Sequence, residues 1–485
     1  MPNRYDSIIE DISAYAVAAG DFSELARETA RWVLFDALGS AMLSLGHPQC
    51  VKLLGGLVPG VRVDVGARVP GTDWELDPIE AAFNLGTMIR WLDYNDTWLA
   101  LEWGHPSDNL GAILSVADWL MRSQGRRLTM GDVLSFMIKA HEIQGVLSLS
   151  ASLNRRGLDH VWWTKIASTA VVTALLTGEQ SLVEKAVSQA FLDGGSLRTY
   201  RQAPNTGSRK SWAAGDAVSR AVRLALITLK GEMGYPTAVS APGYGFNDVA
   251  LRGQTLTLQR PLSDYVMENI LFKVAYPAEF HGQTAVECAL WLHPQVKSRI
   301  DAIEQVIIET QDSAMRVINK VGPLVNPADR DHCLQYMVAV ALIQGVLTDA
   351  SYDEDVAGDP RIDLLRAKMR VVERPEFSKE YLDPDHRSIA NAVQVFFADG
   401  SSSDRVEVRY PLGHRRRRQE AIPLLKEKFE KNVSTRMSKQ RTQGLLELAG
   451  DLSRLGEMPV DVFVDAWISP DASHLREGGN FGCHG

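Results

Sequence analysis

Apolar residues recur at helical spacing through most of the first half of the chain. Between Leu25 and Leu45 they gather around Trp32, Phe35, Ala37 and Leu38, the i, i+3, i+4 pattern of an amphipathic helix. Asp77-Pro78-Ile79-Glu80 has the form of a helix start: a cap residue, proline in the first turn, and Glu three positions after the cap. The pattern predicts a helix from there to about Asp93. A further helix opens at Ser107 or Asp108, with Leu110, Ile113, Leu114, Ala117, Leu120 and Met121 on one face. Val133–Leu149, Lys165–Thr177 and Ala213–Lys230 continue the series, with little strand signal between them.

The pattern changes after about Pro261. Ala302–Thr310 and Met369–Glu373 are β-branched runs, and Val393–Phe397 and Val406–Tyr410 flank Asp399-Gly400 and a serine cluster, which reads as a hairpin. A helix is expected over Ala328–Leu347, and others over Glu420–Asn432 and Thr442–Leu455. The arrangement predicts a mainly α protein: a large all-helical domain, residues 1–265 and 416–485, interrupted by a smaller α+β domain at 266–415. Ser473–Gly485 reads as a loose tail.

Composition narrows the classes. The 485 residues carry a net charge of −9 with 45% hydrophobic residues, enough to bury a sizeable core. An acidic balance argues against nucleic acid as the main partner. No apolar run approaches the roughly 20 residues of a membrane span. Asp6, Glu10 and Asp11 near the start fit neither a transit peptide nor a secretory signal, so a cytoplasmic location is expected. Cys50, Cys288, Cys333 and Cys483 are widely spaced; without a C-x-x-C pair they argue against a zinc ribbon, a disulfide framework and the usual iron–sulfur ligand set. No cofactor or metal is expected.

Five segments place polar residues where a core is expected. Asp93 returns to the apolar face of its predicted helix, at the end where the dipole disfavours a carboxylate's charge. It opens DYNDTWLALEWGHPSDN, which carries Asp96, Thr97, Glu102, His105, Ser107 and Asp108; Pro106-Ser107 puts His105 just before a helix start, where anions are favoured. DHVWWTK holds Asp159, His160 and Lys165, and TGSRKSWAAGDA holds Arg209 and Lys210. LFKVAYPAEFHGQ contains Lys273, Glu279 and His281, and DHCLQYMVAVAL contains Tyr336. Each has an ordinary structural reading as well: a capped loop, a satisfied core histidine, a snorkelling lysine, a core tyrosine. His141-Glu142 lacks the second histidine of a zincin helix. Arg415–Arg418 reads as a solvated face rather than a nucleic-acid site.

Taken together, these segments resemble the MmgE/PrpD family. The resemblance is carried by Asp93–Asn109, by RVPGT at 68–72, by Tyr276–Glu287 and by YPLGHRRRR at 410–418, and it extends over nearly the whole chain. It implies a helical domain with an α+β lid, a homodimer, and dehydration of 2-methylcitrate to 2-methyl-cis-aconitate in propionate breakdown. The implied catalytic residues are Asp93, His105, His160, Lys273 and Tyr336; the implied substrate-binding residues are Thr97, Ser107, Lys210 and His281. Such a reaction needs a base at carbon, an acid for the departing hydroxyl and cations for three carboxylates. Without an aconitase-like cysteine set, side chains are expected to supply all three. The sequence leaves the base open between His105 and Lys273, and the acid between His160 and Tyr336. Decarboxylation of cis-aconitate or epimerisation of a polycarboxylate is the alternative on the same scaffold; a metal-dependent hydro-lyase and a non-enzymatic helical scaffold are the remaining ones.

Overall fold

A computed structural model describes residues 4–202 and 204–469; the tail read at Ser473–Gly485, and Cys483 with it, lies outside them. The chain divides into two compact units. One comprises Met1–Thr199, Ser211–Ile270 and Leu425–Gly485, the other Tyr200–Lys210 and Leu271–Leu424.

The first unit is built on long helices: Glu24–Ser44, Pro78–Arg90, Leu110–Gln124, Met130–Ser150 and Val161–Thr177. Their starts follow from local chemistry. Asp77 accepts from the backbone N–H groups of Ile79 and Glu80 at 2.9 and 3.2 Å, with Pro78 in the first turn. Thr129 and Asp132 form a reciprocal capping box for Met130–Ser150, satisfying donors that a helix end leaves orphaned. The unit is not purely helical. Two antiparallel ladders of two residues per strand join Ala67–Arg68 to Glu75–Leu76 and Trp98–Leu99 to Trp103–Gly104. Their strands are too short to leave a period-2 signature.

Glycine sets how closely the helices Pro78–Arg90, Leu110–Gln124 and Arg209–Leu229 meet. A Cβ on Gly111 would lie 2.8 Å from Gly86 N and 3.1 Å from Ala82 O, and one on Gly86 would lie 3.0 Å from Gly215 Cα. This contact brings the end of the Pro78–Arg90 helix against the start of Leu110–Gln124. Gly111→Ala is expected to destabilise the protein by about 1–3 kcal/mol, because backbone and not a flexible side chain would have to yield. Urea denaturation of the two proteins measures the difference.

The second unit carries a four-stranded mixed sheet in the order Met369–Glu373, Ile303–Thr310, Asn391–Phe397, Val406–Val408. The first pair is parallel and the other two antiparallel. Gln283–Val296 and Leu334–Gln344 contribute Val286, Leu292, Met337 and Leu342 to one core with Val306, Ile308, Val393 and Val395 of the sheet. The predicted helix over 328–347 is interrupted: Pro327–Arg330 ends, and Leu334–Gln344 begins after Asp331, His332 and Cys333. Thr442–Leu455 is likewise split, at Gly450-Asp451. Among the described residues no helix is long and apolar enough to cross a membrane.

Candidate active site

In the first unit the helix that should carry Asp93 stops at Arg90, and Asp93 lies beyond it with φ of 52°. Aspartate tolerates this left-handed region better than most residues, yet an observed outlier of this kind is typical of functional sites. The turn frees Asp93 from the helix end and sets its carboxylate against the buried Arg90 guanidinium. Oδ1 of Asp93 is also 3.4 Å from His105 Nε2. The other ring nitrogen of His105, Nδ1, lies 2.6 Å from the backbone carbonyl of Asp96, with Thr97 Oγ1 at 3.4 Å. A carbonyl only accepts, so Nδ1 carries the hydrogen and Nε2 is the basic nitrogen, facing Asp93.

The hairpin delivering His105 is pinned to the Met130–Ser150 helix. Trp98 Nε1 donates to Gly145 O at 3.1 Å, and the Glu102 N–H donates to Ser148 O at 3.0 Å. The helix start at Pro106-Ser107 does attract an anion, but an internal one: the Ser107 N–H donates to Asp96 Oδ1 at 3.0 Å. Ser107 Oγ accepts from Asn95 Nδ2 at 2.8 Å. Ser107 therefore holds the turn together.

His160 sits 6.0 Å from His105, ring centre to ring centre. Its Nδ1 is 3.3 Å from Asp159 Oδ1, and Asp159 Oδ2 is 3.9 Å from Arg198. Two histidines, each beside its own carboxylate, are thus held in one buried cluster. Lys165, from the same segment, is engaged elsewhere: it pairs with Asp193 at 3.1 Å and donates to Gly194 O.

Two carboxylates beneath the cluster are shifted strongly upward. Burial pushes Asp108 to about 8, against the pull of Arg90, with Asp96 and Asp93 adding to the rise. Burial also pushes Glu102 up to about 7, opposed by Arg198 and by the Asn154 and Trp103 N–H groups. Unfolded carboxylates titrate near ~4. Between there and pH 7–8 the folded protein therefore binds more protons than the unfolded chain, and stability falls as pH rises. Asp108→Asn is expected to flatten this fall. Urea midpoints at pH 5, 6.5 and 8 for both proteins check it.

In the second unit Lys210 is buried. Its Nζ donates to both oxygens of Asp331 at 2.5 and 2.6 Å, and lies 3.1 Å from His332 Nδ1. The break between the two short helices exists where these partners face Lys210. His281 is also buried, with Nδ1 2.7 Å from Glu279 Oε1 and Nε2 3.1 Å from the Tyr381 hydroxyl. The Glu279 N–H donates to Asp331 O at 3.2 Å, linking the two groups. Lys273 is fully buried. It follows Phe272, whose backbone N–H donates to Gly413 O at 3.1 Å. Tyr336 lies in the hydrophobic core, its hydroxyl donating to Ser351 O at 2.8 Å.

The four-arginine run is partly solvated, with Arg416 exposed and Arg415, Arg417 and Arg418 half-buried, and each makes contacts within the protein. Arg417 binds Glu287 and Glu420, Arg415 and Arg416 donate to Asp385 O, and Arg418 covers the Phe272 ring at 4.8 Å. Cys50, Cys288 and Cys333 are buried free thiols. Among the described residues no three His, Cys, Asp or Glu side chains are grouped as metal ligands.

Arg90, Asp96, Asp108 and His141 join this arrangement without having been picked out as site residues from the sequence. Arg90 had one available signal, an arginine three residues before Asp93 at a helix end. His141 had only its place among apolar neighbours.

The mainly helical unit thus bears a buried histidine–carboxylate cluster, and the α+β unit bears buried lysines. The chain belongs to the MmgE/PrpD family: the MmgE/PrpD N-terminal domain matches residues 10–259 and the MmgE/PrpD C-terminal domain residues 276–452. Among its relatives, the 2-methylcitrate dehydratase of Escherichia coli K12 is 53% identical over 473 residues, covering 96% of this chain and 98% of that protein. The 2-methylcitrate dehydratase of Cupriavidus necator is 55% identical over 470 residues, covering 95% and 97%. The mitochondrial 2-methylcitrate dehydratase of Yarrowia lipolytica is 51% identical over 478 residues, covering 97% and 91%.

Proposed function

We propose that this chain is a cytoplasmic, homodimeric hydro-lyase that eliminates water from 2-methylcitrate to give 2-methyl-cis-aconitate. Identity above one half with bacterial and fungal 2-methylcitrate dehydratases, over nearly the full length, supports the substrate. The observation that carries the chemistry is the fixed His105 ring, with Nδ1–H on a carbonyl and Nε2 facing Asp93.

In this reading His105 Nε2 takes the proton from the carbon next to a carboxylate. Asp93, held in place by Arg90, stabilises the imidazolium that forms. His160 gives a proton to the departing hydroxyl, so that a C–H and a C–O bond break, a C=C bond forms and water leaves. His160 fits this role better than Tyr336, whose proton is committed to Ser351 O and whose phenol is pushed by burial to about 12, far from working pH. Lys210, Lys273 and His281 hold the substrate's carboxylates, helped by the Thr97 hydroxyl. Ser107 uses its N–H and one Oγ lone pair within the turn, so what it brings to carboxylate binding is its hydroxyl hydrogen.

Lys210→Met is expected to raise KM more than it lowers kcat, as loss of uniform binding does. Steady-state kinetics on 2-methylcitrate measures the split. The function itself is tested by incubating the purified protein with citrate, 2-methylcitrate and cis-aconitate, with and without a chelator. Consumption of 2-methylcitrate without CO₂ release is expected, chelated or not. CO₂ from cis-aconitate with 2-methylcitrate untouched would establish the decarboxylase alternative instead.

A further inference from the structure

His141 lies in the middle of the Met130–Ser150 helix, fully enclosed. Its Nδ1 is 2.8 Å from Met137 O, one turn back, and its Nε2 is 2.9 Å from Asp96 Oδ2. The carbonyl only accepts, so Nδ1 is a donor there. A carboxylate oxygen at Nε2 then requires a second proton between the two residues. His141 and Asp96 thus form a buried pair that shares a proton, whichever side holds it. The other oxygen of Asp96 accepts the Ser107 N–H at 3.0 Å.

The consequence lies on the main chain of Asp96. Its backbone carbonyl is the group 2.6 Å from His105 Nδ1, the contact that decides which nitrogen of His105 is basic. One residue is therefore gripped through its side chain by a long helix and grips the proposed base through its carbonyl. Gln144, one turn further along the same helix, takes the Asn109 amide at 2.6 Å and steadies the other end of the segment.

We propose that His141 is a positioning residue: through Asp96 it fixes the orientation and tautomer of His105. A histidine that merely filled the core would affect stability alone. One acting through Asp96 must affect the protonation pattern of a ring it does not touch. The proposal rests on the reading of His105 as base for its catalytic consequence, but not for its structural one.

The test separates the two. The protein is labelled with ¹⁵N-histidine, and the His105 signals are assigned by their loss in His105→Gln. The native ring is expected to show a single Nδ1–H tautomer. His141→Leu, which cannot donate to Asp96, is expected to lose that single tautomer. It should also lower kcat on 2-methylcitrate about 10–100-fold with KM within about twofold, the size of effect a small misplacement of a reacting group produces. His141→Gln, whose amide nitrogen can take the place of Nε2, is expected to restore both. Should the leucine variant fail to fold, His141→Asn, whose shorter amide falls short of Asp96, replaces it under the same criteria. A folded variant that cannot donate to Asp96 but keeps the native tautomer would overturn the proposal. An altered tautomer with kcat unchanged would uphold the positioning and overturn His105 as base.

Discussion

Replacing His105 by Gln is expected to lower kcat on 2-methylcitrate by about 10²–10⁴-fold, the usual cost of losing a positioned general base. The choice of glutamine matters. Its amide nitrogen can sit near Nε2 and keep a polar contact with Asp93, so the pocket is neither emptied nor left with an unbalanced carboxylate. What disappears is a group able to accept a proton near neutral pH. The C–H next to a carboxylate is a weak acid, and no other group in the cluster is as well prepared: His105 is held in one tautomer by Asp96 O and faces a carboxylate that stabilises its protonated form. KM should change little, because the ring's main contribution is made in the transition state. Far-UV circular dichroism establishes that the variant is folded, and steady-state kinetics gives the split. A folded variant turning over within tenfold of the native rate would remove His105 from the chemistry.

Asp36→Ala is expected to destabilise the protein by about 3–5 kcal/mol, the cost of leaving a buried charge without its partner. Asp36 lies on the Glu24–Ser44 helix, and its Oδ1 meets Lys428 Nζ at 2.6 Å with both side chains almost wholly buried. The same ammonium donates to Tyr94 O at 2.6 Å and lies 3.6 Å from the centre of the Tyr94 ring. Lys428 thus ties the residue after Asp93 to two helices far away in sequence. Adding Lys428→Met to Asp36→Ala should recover part of the loss, since an apolar pair in place of a buried ion pair is often close to neutral. Because the Tyr94 carbonyl loses the Lys428 donor and keeps the longer bond from Ser40 Oγ at 3.5 Å, the recovery should be incomplete. Urea unfolding of the native protein, both single variants and the double variant measures these terms as a cycle. A loss below about 1 kcal/mol for Asp36→Ala would contradict the assignment.

Much of the architecture was legible along the chain because its cues are local. The Asp77-Pro78 cap, the apolar stripe of Leu110–Met121 and the β-branched strand ending at Thr310 each announce themselves within a few residues. Elements shaped by distant partners were not. The predicted helix over 328–347 is broken where Asp331 and His332 turn to Lys210, more than a hundred residues earlier in the chain. The Trp98–Gly104 hairpin has strands of two residues, shorter than any periodicity can register. Asp93 was legible as an anomaly, but its environment was not: the helix ends three residues sooner than the apolar pattern suggests, and Arg90 supplies the cation that favours the carboxylate charge a helix end would have opposed.

The candidate site divides in the same way. Residue types that are unusual for their surroundings, such as His105, His160, Lys210, Lys273 and His281, stand out from sequence. The groups that hold them stand out less: Arg90 and His141 look like ordinary helix residues until the fold closes on them, and Asp96 is one polar residue among several in its segment. Ser107 and Tyr336 show the converse. Both have plausible chemistry in sequence; in the structure the Tyr336 hydroxyl donates to Ser351 O, while the Ser107 N–H and Oγ are held by Asp96 and Asn95.

His105 is proposed to drive loss of water from 2-methylcitrate. The most direct measurement follows the absorbance of the new conjugated double bond as native and His105→Gln protein act on 2-methylcitrate at equal concentration. Absorbance is expected to rise in step with substrate loss in the native protein and at least about 100-fold more slowly in the variant. Equal rates in the two proteins, or no rise with the native protein, would contradict it.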